Sequence, residues 1–408
     1  MKKSVLKMLN YTDMNNTEKK VLLVVGGYAS TGVGEQFVGQ MLSKYDKKKI
    51  WRFSITQSVP EILNLYEYTT KVKVFSSITL PVISSFYYWW FKYKYLKNCV
   101  DSINSLVLKN NINKVWIILN TPQIIQIGSE LASKLNIPLI AQIWDTPEYL
   151  SQVEYLDSFT ATHLLSKFDT VLNKSESAIT ISENMRSKYQ ERYNIDTKTM
   201  VFCTSVDINK LPPMSSRNTK VITIIFAGSL YAPQTWNAFL DAVETRNKSA
   251  DFPKIVVRCI GTVSKWAKQR DWVEYEKLKP LSEVIHIVNK ADIAYLPYWM
   301  SKKYSNAVKM AFPSKLSLYV SAGTPVFYHG PKDSTPADFM KIYKIGEYCS
   351  TMDKIDILNT IDTLLSEKFQ CQYPIERNTA YQYVFHPDNC SRIFEKILNQ
   401  PLSESKSG

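Results

Sequence analysis

The segment Phe312-Pro313-Ser314-Lys315-Leu316 puts a proline where a helix can begin and a hydroxyl and an ammonium in its first turn. First-turn amides, a hydroxyl and an ammonium together can hold a diphosphate, because the helix N-terminus is electropositive and its amides point outward. Gly323 is placed to stop that helix before the apolar run Pro325-Tyr328. Lys302, Lys303 and Lys309 just upstream either add to the positive potential or form a solvated face. A second small-residue stretch, Phe226-Ala227-Gly228-Ser229-Leu230, ends an apolar run and leaves room for a ligand to approach the backbone. A third, from Gly26 through Gly27, Gly32 and Gly34, links an apolar run to a helix-like one and suits an anion or a sugar. It is not a dinucleotide fingerprint, since Phe37 stands where the third glycine belongs, and it lacks the Lys-Ser/Thr ending of a phosphate-binding loop. A plain strand-to-helix turn is the alternative.

Carboxylates that could serve catalysis follow the run Pro138-Ile143, in Trp144-Asp145-Thr146-Pro147-Glu148. A carboxylate at a strand exit can orient an acceptor hydroxyl or stabilise charge on an oxocarbenium-like sugar, so Asp145 is the leading candidate and Glu148 the second. The competing reading is that Asp145 caps the next helix, because Asp before Thr-Pro is a strong helix-start signal. His163, His286, His329 and His386 show no pairing spacing, and His329 reads as a loop residue rather than a base. Between Phe86 and Lys97, eight aromatic residues and three lysines fall in twelve positions. Tyr88, Trp89, Trp90, Lys92 and Lys94 in this run suit the headgroup layer of an anionic membrane. An aromatic helix packed on a sheet, or stacking on single-stranded nucleic acid, are the alternatives; no nucleic-acid module appears elsewhere, so a nucleic-acid partner is not expected.

These residues need a scaffold, and 408 residues with 45% apolar and 12% aromatic side chains supply ample core material. The 50 Lys+Arg against 37 Asp+Glu leave a formal charge of +13, which favours anionic partners. Cys99, Cys203, Cys259, Cys349, Cys371 and Cys390 lie far apart without zinc-ligand spacing and read as reduced thiols in a cytoplasmic protein. No secretory signal is evident. The apolar neighbourhood around 79–91 is broken by Pro81, Ser84 and Ser85 and falls short of the ~20 residues a spanning helix needs.

Short Val/Ile-rich runs alternate with helix-like segments, the pattern of an α/β fold with parallel strands covered on both faces. Strands are predicted at Val21-Val25, Ile50-Ile55, Val115-Leu119, Pro138-Ile143, Ala178-Ile181 and Met200-Cys203. After a Pro/Ser-rich linker the series restarts with Val221-Phe226, Lys254-Ile260, Val284-Val288, Ile293-Leu296 and Pro325-Tyr328. Two doubly wound, Rossmann-like domains follow, over 1–211 and 219–377, with a helix at about 378–400 that either caps the second or returns to the first. Their strand ends would face each other across a cleft.

At this point the chain resembles a family. Phe226-Ala-Gly-Ser-Leu, Lys290-Ala-Asp-Ile-Ala-Tyr-Leu-Pro297-Tyr298, Phe312-Pro-Ser-Lys-Leu and Ser321-Ala-Gly-Thr-Pro-Val326 occur in the order seen in GT-B glycosyltransferases of the family 4-like group. Gly26-Gly27, Ala178-Ile-Thr-Ile-Ser182 and Ser205-Val206-Asp207 resemble that family's acceptor domain. The resemblance implies a nucleotide-sugar donor on the second domain, an acceptor on the first, and transfer with retained configuration, without cofactor or divalent metal. It implies that Gly228 and Ser229 face the donor phosphates, that Ser314, Lys315 and Leu316 hold the diphosphate, that Tyr298 lies near the nucleotide, and that Gly32 and Gly34 border the sugar or leaving phosphate. The chain departs from the family where a Glu-x7-Glu pair is usual: Met310 and Leu318 stand there. Tyr231-Ala-Pro-Gln-Thr-Trp236 also lacks the usual basic pair, leaving Lys315, with Lys265 or Lys303, to meet the diphosphate charge.

The resulting expectation is a bacterial-type cytoplasmic enzyme moving a hexose or N-acetylhexosamine to a glycan, lipid-linked or protein acceptor, with peripheral contact at the inner face of the membrane. Homo- or hetero-oligomers fit the same reading. A catalytically silent partner subunit of an active glycosyltransferase is the main rival. A nucleotide-sugar epimerase, which would need paired acid and base groups not found here, is the lesser one.

Overall fold

A computed structural model describes residues 20–26, 37–39, 49–55, 66–70, 81–203, 221–262, 267 and 269–399. In the first half, β1 (Val21–Gly26), β2 (Ile50–Ile55) and β3 (Tyr66–Thr70) are followed by α1 (Pro81–Lys94) and α2 (Leu96–Asn110). Then come β4 (Lys114–Ile118), α3 (Pro122–Lys134), β5 (Leu139–Ile143), α4 (Pro147–Val153), α5 (Ser158–Lys174), β6 (Ser177–Thr180), α6 (Glu183–Tyr193) and β7 (Asp196–Thr199). These strands form one parallel seven-stranded sheet in the order β3-β2-β1-β4-β5-β6-β7. β1 sits between β2 and β4, with Val21 opposite Ile50 on one side and Lys114 on the other. Its six residues are all buried, as helix-covered parallel strands require.

The second half runs β8 (Val221–Ala227), α7 (Pro233–Asn247), β9 (Lys254–Ile260), β10 (Val273–Glu276), α8 (Leu281–Asn289), β11 (Ile293–Pro297), α9 (Ser305–Met310), α10 (Ser314–Ala322) and β12 (Val326–His329). It continues with α11 (Thr335–Tyr343), β13 (Gly346–Cys349), α12 (Lys354–Leu365), α13 (Glu367–Ala380) and α14 (Pro387–Asn399). The parallel sheet here has the order β10-β9-β8-β11-β12-β13. Each sheet reverses strand order beside its first strand, and ligands of such sheets bind outside the carboxyl ends at that switch point.

Several expectations are corrected. Val284-Val288 is not a strand but part of α8, whose buried Val284, Ile285 and Val288 fall on one helical face. Met200-Cys203 follows β7 rather than forming a strand; β7 lies four residues earlier. The cysteines are not all free thiols, because Cys203 and Cys390 form a disulfide across a separation of 187 residues. It fastens α14 to the end of the first half.

The halves also touch directly. Ser182 Oγ donates to the Met310 carbonyl at 2.6 Å, while Asn184 Nδ2 donates to the Lys309 carbonyl at 3.1 Å and to Thr335 at 3.2 Å. Lys188 Nζ reaches Asn306 Oδ1 at 3.3 Å. Thus α6 is bound along the segment that ends in α9.

Candidate active site

The cationic side of the site is built where β8 ends. Gly228 has φ +117°, a left-handed conformation that side-chain-bearing residues rarely adopt, and a Cβ there would come within 2.7 Å of Lys315 Cε. The Gly228 amide donates to the Ile260 carbonyl at 2.7 Å, fixing the exit against β9. Pro313 precedes α10, Gly323 ends it with φ +81°, and Lys315 occupies its first turn, as the sequence predicts. One turn on, Tyr319 Oη accepts from the Ala227 amide at 3.0 Å, which pins α10 to the end of β8 and so places Lys315 beside Gly228. The ammonium lies 4.7 Å from the centre of the Tyr231 ring and 5.4 Å from that of Phe226. It makes no ion pair with the described residues. Burial pushes its pKa down to about 8, with the Cys259 thiol a smaller influence in the other direction. A desolvated, uncompensated cation is costly to keep and is well suited to an anionic ligand.

The acidic side is built where β5 ends. Thr146 caps α4, its hydroxyl accepting from the Tyr149 amide at 3.2 Å, with Pro147 in the first turn. Asp145 is therefore not the capping residue. Its carboxyl is pushed up to about 6 by burial; the Tyr149 and Tyr298 phenols are also raised, chiefly by their own burial, with the Asp145 charge a smaller influence in the same direction. Glu148 is turned elsewhere: its Oε2 is buried without a hydrogen-bond partner, as is the Tyr189 hydroxyl, and its charge is felt at Tyr189 and Tyr193. Of the two carboxylates, Asp145 is the one whose charge reaches Tyr298, a residue of the second half.

Between the two poles stands a group of rings, of which the sequence predicts only Tyr298 to lie at the site. Tyr231 and Trp299 have centroids 4.7 Å apart, and Trp299 stacks on Tyr304 at 4.7 Å with planes 28° apart. Tyr149, from the first half, lies 5.9 Å from Trp299. Tyr231 and Trp299 each come just after a strand exit, β8 and β11, and that position was the available signal. Tyr298 is buried, with its ring 5.7 Å from Tyr231, and its carbonyl accepts from Thr235 Oγ1 at 2.7 Å.

The remaining named residues divide. Ser229 is exposed at the β8 exit and Ser314 half-buried at the start of α10. The Leu316 side chain is fully buried and its amide donates to the Pro313 carbonyl at 2.9 Å, so it contributes packing rather than a free donor. Gly27, Gly32, Gly34 and Lys265 lie outside the described residues. Gly26, at the end of β1, is held by Asn120, whose side chain both accepts from its amide at 3.1 Å and donates to its carbonyl at 2.9 Å. His329 is not a loop residue: it ends β12 with no exposure, between Tyr295 Oη at 2.7 Å and the Thr351 carbonyl at 2.7 Å. Burial lowers its pKa to about 4, which makes it a neutral core group. Among the described residues no three His, Cys, Asp or Glu side chains converge as a metal site would require.

In the aromatic helix α1, Tyr88 faces inward, hydrogen-bonded to His163 Nδ1 at 2.7 Å, and Trp89 donates to Thr160 Oγ1 at 3.0 Å. Trp90 and Lys92 are half-buried and Lys94 exposed. The outer face is instead Val82, Phe86 and Tyr93, joined by Phe159 of α5, which stacks on Trp89 at 5.6 Å. No helix among the described residues is long and apolar enough to cross a membrane.

No protein-family profile and no curated protein sequence matches the chain. Solved structures do. Sucrose-phosphate synthase from Thermosynechococcus elongatus superposes with a TM-score of 0.65 at 12% identity, over 93% of this chain and 98% of that one. A glycosyltransferase from Rickettsia africae ESF-5 gives 0.62 at 13% identity, over 94% and 100% of the two chains. WaaG, a glycosyltransferase involved in lipopolysaccharide biosynthesis, gives 0.60 at 10% identity, over 93% and 100%. The two parallel sheets belong to the GT-B glycosyltransferase fold.

Proposed function

We propose that this GT-B chain is a glycosyltransferase that moves a hexose or N-acetylhexosamine from a nucleoside-diphosphate sugar to a glycan, lipid-linked or protein acceptor. The observation that carries the reading is Lys315: a desolvated ammonium without a carboxylate partner among the described residues, at a helix start and packed against a glycine whose missing side chain makes room for the lysine itself. Diphosphate is the ligand chemistry that a cation and first-turn amides at a strand exit favour. Asp145 stands on the other side as the charge that stabilises a developing oxocarbenium ion.

In this reading the bond between the anomeric carbon and the diphosphate breaks as the acceptor oxygen bonds that carbon from the same face. The leaving phosphate oxygen takes the acceptor proton, so configuration is retained and neither a protein nucleophile nor a metal is required. The protein supplies position and charge. A second component of the reading is peripheral attachment to an anionic membrane through the outer face of α1, where Val82, Phe86, Tyr93 and Lys94 are exposed, extended by the exposed Phe159 of α5.

The test is a thermal-shift screen against nucleoside diphosphates and common nucleotide sugars in EDTA, repeated with Lys315→Met. A saturating specific ligand stabilises by about 3 kcal/mol at a hundredfold excess over Kd. The reading expects a shift with one nucleotide series that Lys315→Met abolishes. No shift with any of them favours the silent partner subunit, for which the apolar Met310 and Leu318 would then be the supporting observation.

A further inference from the structure

The segment from Trp299 to Met310 is bound to both halves at once. Its origin is the exit of β11 in the second sheet, and its end is tied to α6 of the first half through Asn306, Lys309 and Met310. At its start, Trp299 lies between Tyr231 and Tyr304, each 4.7 Å away, and faces Tyr149 at 5.9 Å. The two ends of this ring series are the two poles of the site. Tyr231 carries the Lys315 ammonium at 4.7 Å, while Tyr149 belongs to α4, directly after Asp145, and feels that carboxylate's charge.

Aromatic rings have few rotamers, so a stack of them transmits position with little loss to side-chain motion. Trp299 is the only ring of the group in contact with the other three, since Tyr149, Tyr231 and Tyr304 each approach it within 6 Å. We propose that Trp299 is a positioning residue that sets the spacing between Lys315 and Asp145 by joining the aromatic support of the cation to the helix that follows the carboxylate. It touches neither reacting group. The inference rests on the glycosyltransferase reading for its kinetic consequence, and on the ring geometry alone for its structural one.

Removing a spacer of this kind leaves each half able to bind its own ligand and misplaces one relative to the other. A misplacement of about 1 Å costs on the order of a hundredfold in rate. The experiment compares wild type, Trp299→Phe and Trp299→Ala as full-length proteins in two arms. The first measures the Kd of the nucleoside diphosphate found by thermal shift and the rate at which its nucleotide sugar is consumed. For Trp299→Ala the expected result is a Kd within about twofold of wild type and kcat lower by at least about tenfold, with most of the rate restored in Trp299→Phe. Equal kcat in Trp299→Ala and wild type, or a Kd that rises while kcat holds, overturns the inference.

The second arm is amide hydrogen exchange with circular dichroism, which needs no ligand. Trp299→Ala is expected to keep its secondary structure while exchange speeds up in α4, the helix carrying Tyr149, as well as around Tyr231, and Trp299→Phe to match wild type. Unchanged exchange in α4 of Trp299→Ala overturns the inference. Failure of wild type to bind any nucleotide overturns the glycosyltransferase reading instead, and leaves the exchange arm to decide the role of Trp299.

Discussion

Asp145 and Lys315 are each half-buried groups without an ion-pair partner among the described residues, displaced in pKa by desolvation in opposite directions. For Asp145 the folded pKa of about 6 lies above the ordinary carboxylate value. Between the unfolded and folded values the native state holds the extra proton, so stability falls as pH rises through that window and stays reduced above about 6. At about 1.4 kcal/mol per unit, Asp145→Asn should raise stability at pH 7.5 by about 2–3 kcal/mol and leave it unchanged near pH 4. Urea unfolding at the two pH values checks this, and equal stabilisation at both would show that burial of the charge is not the cause. In the same protein, donor turnover should fall, as expected where stability is given up for a charge that the reaction uses. Lys315 was legible in the sequence because Phe-Pro-Ser-Lys states both a helix start and a cation. Trp299 was not, because its meaning lies in Tyr149 and Tyr304, which local patterning does not connect to it.

At the scale of elements, the buried central strands were readable from unbroken apolar runs and the edge strands were not. Tyr66–Thr70, Val273–Glu276 and Gly346–Cys349 are short sheet-edge or near-edge pieces with glutamate and tyrosine in place of Val/Ile runs. The converse error, α8, comes from a run apolar enough to look like a strand, whereas Pro280 at its start and the burial of Val284, Ile285 and Val288 mark a helix. The helix α1 shows why composition alone misdirects. Its sequence places rings on every side, and packing decides that Tyr88 goes inward while Phe86 and Tyr93 stay out. The outer face extends to Phe159, on a different helix. Phe86→Ser with Phe159→Ser should therefore reduce cosedimentation with vesicles rich in anionic phosphatidylglycerol without lowering the melting temperature. Wild type that sediments equally with purely zwitterionic vesicles, or not at all, would remove the electrostatic membrane component of the proposal.

For the whole molecule, the two-sheet plan followed from the restarted strand series, and the expectation of a site at the strands' carboxyl ends from the binding rule for such sheets. What closes the plan lay beyond local reading: the bonds from α6 to the 306–310 segment, and the disulfide that fastens α14 to Cys203. Both join residues more than a hundred positions apart, and no periodicity encodes such pairs. With the poles held on separate halves, the central claim is that Lys315 is the donor's diphosphate hook. Its most direct test is the affinity for the matching nucleoside diphosphate, measured by titration calorimetry from pH 6.5 to 9.5 in wild type and Lys315→Met. The free ammonium, with its pKa lowered to about 8, should hold affinity steady below that pH and lose it progressively above, well before an ordinary lysine would, while Lys315→Met binds weakly at every pH. Wild-type affinity that is flat across the range and equal to that of Lys315→Met would contradict the account.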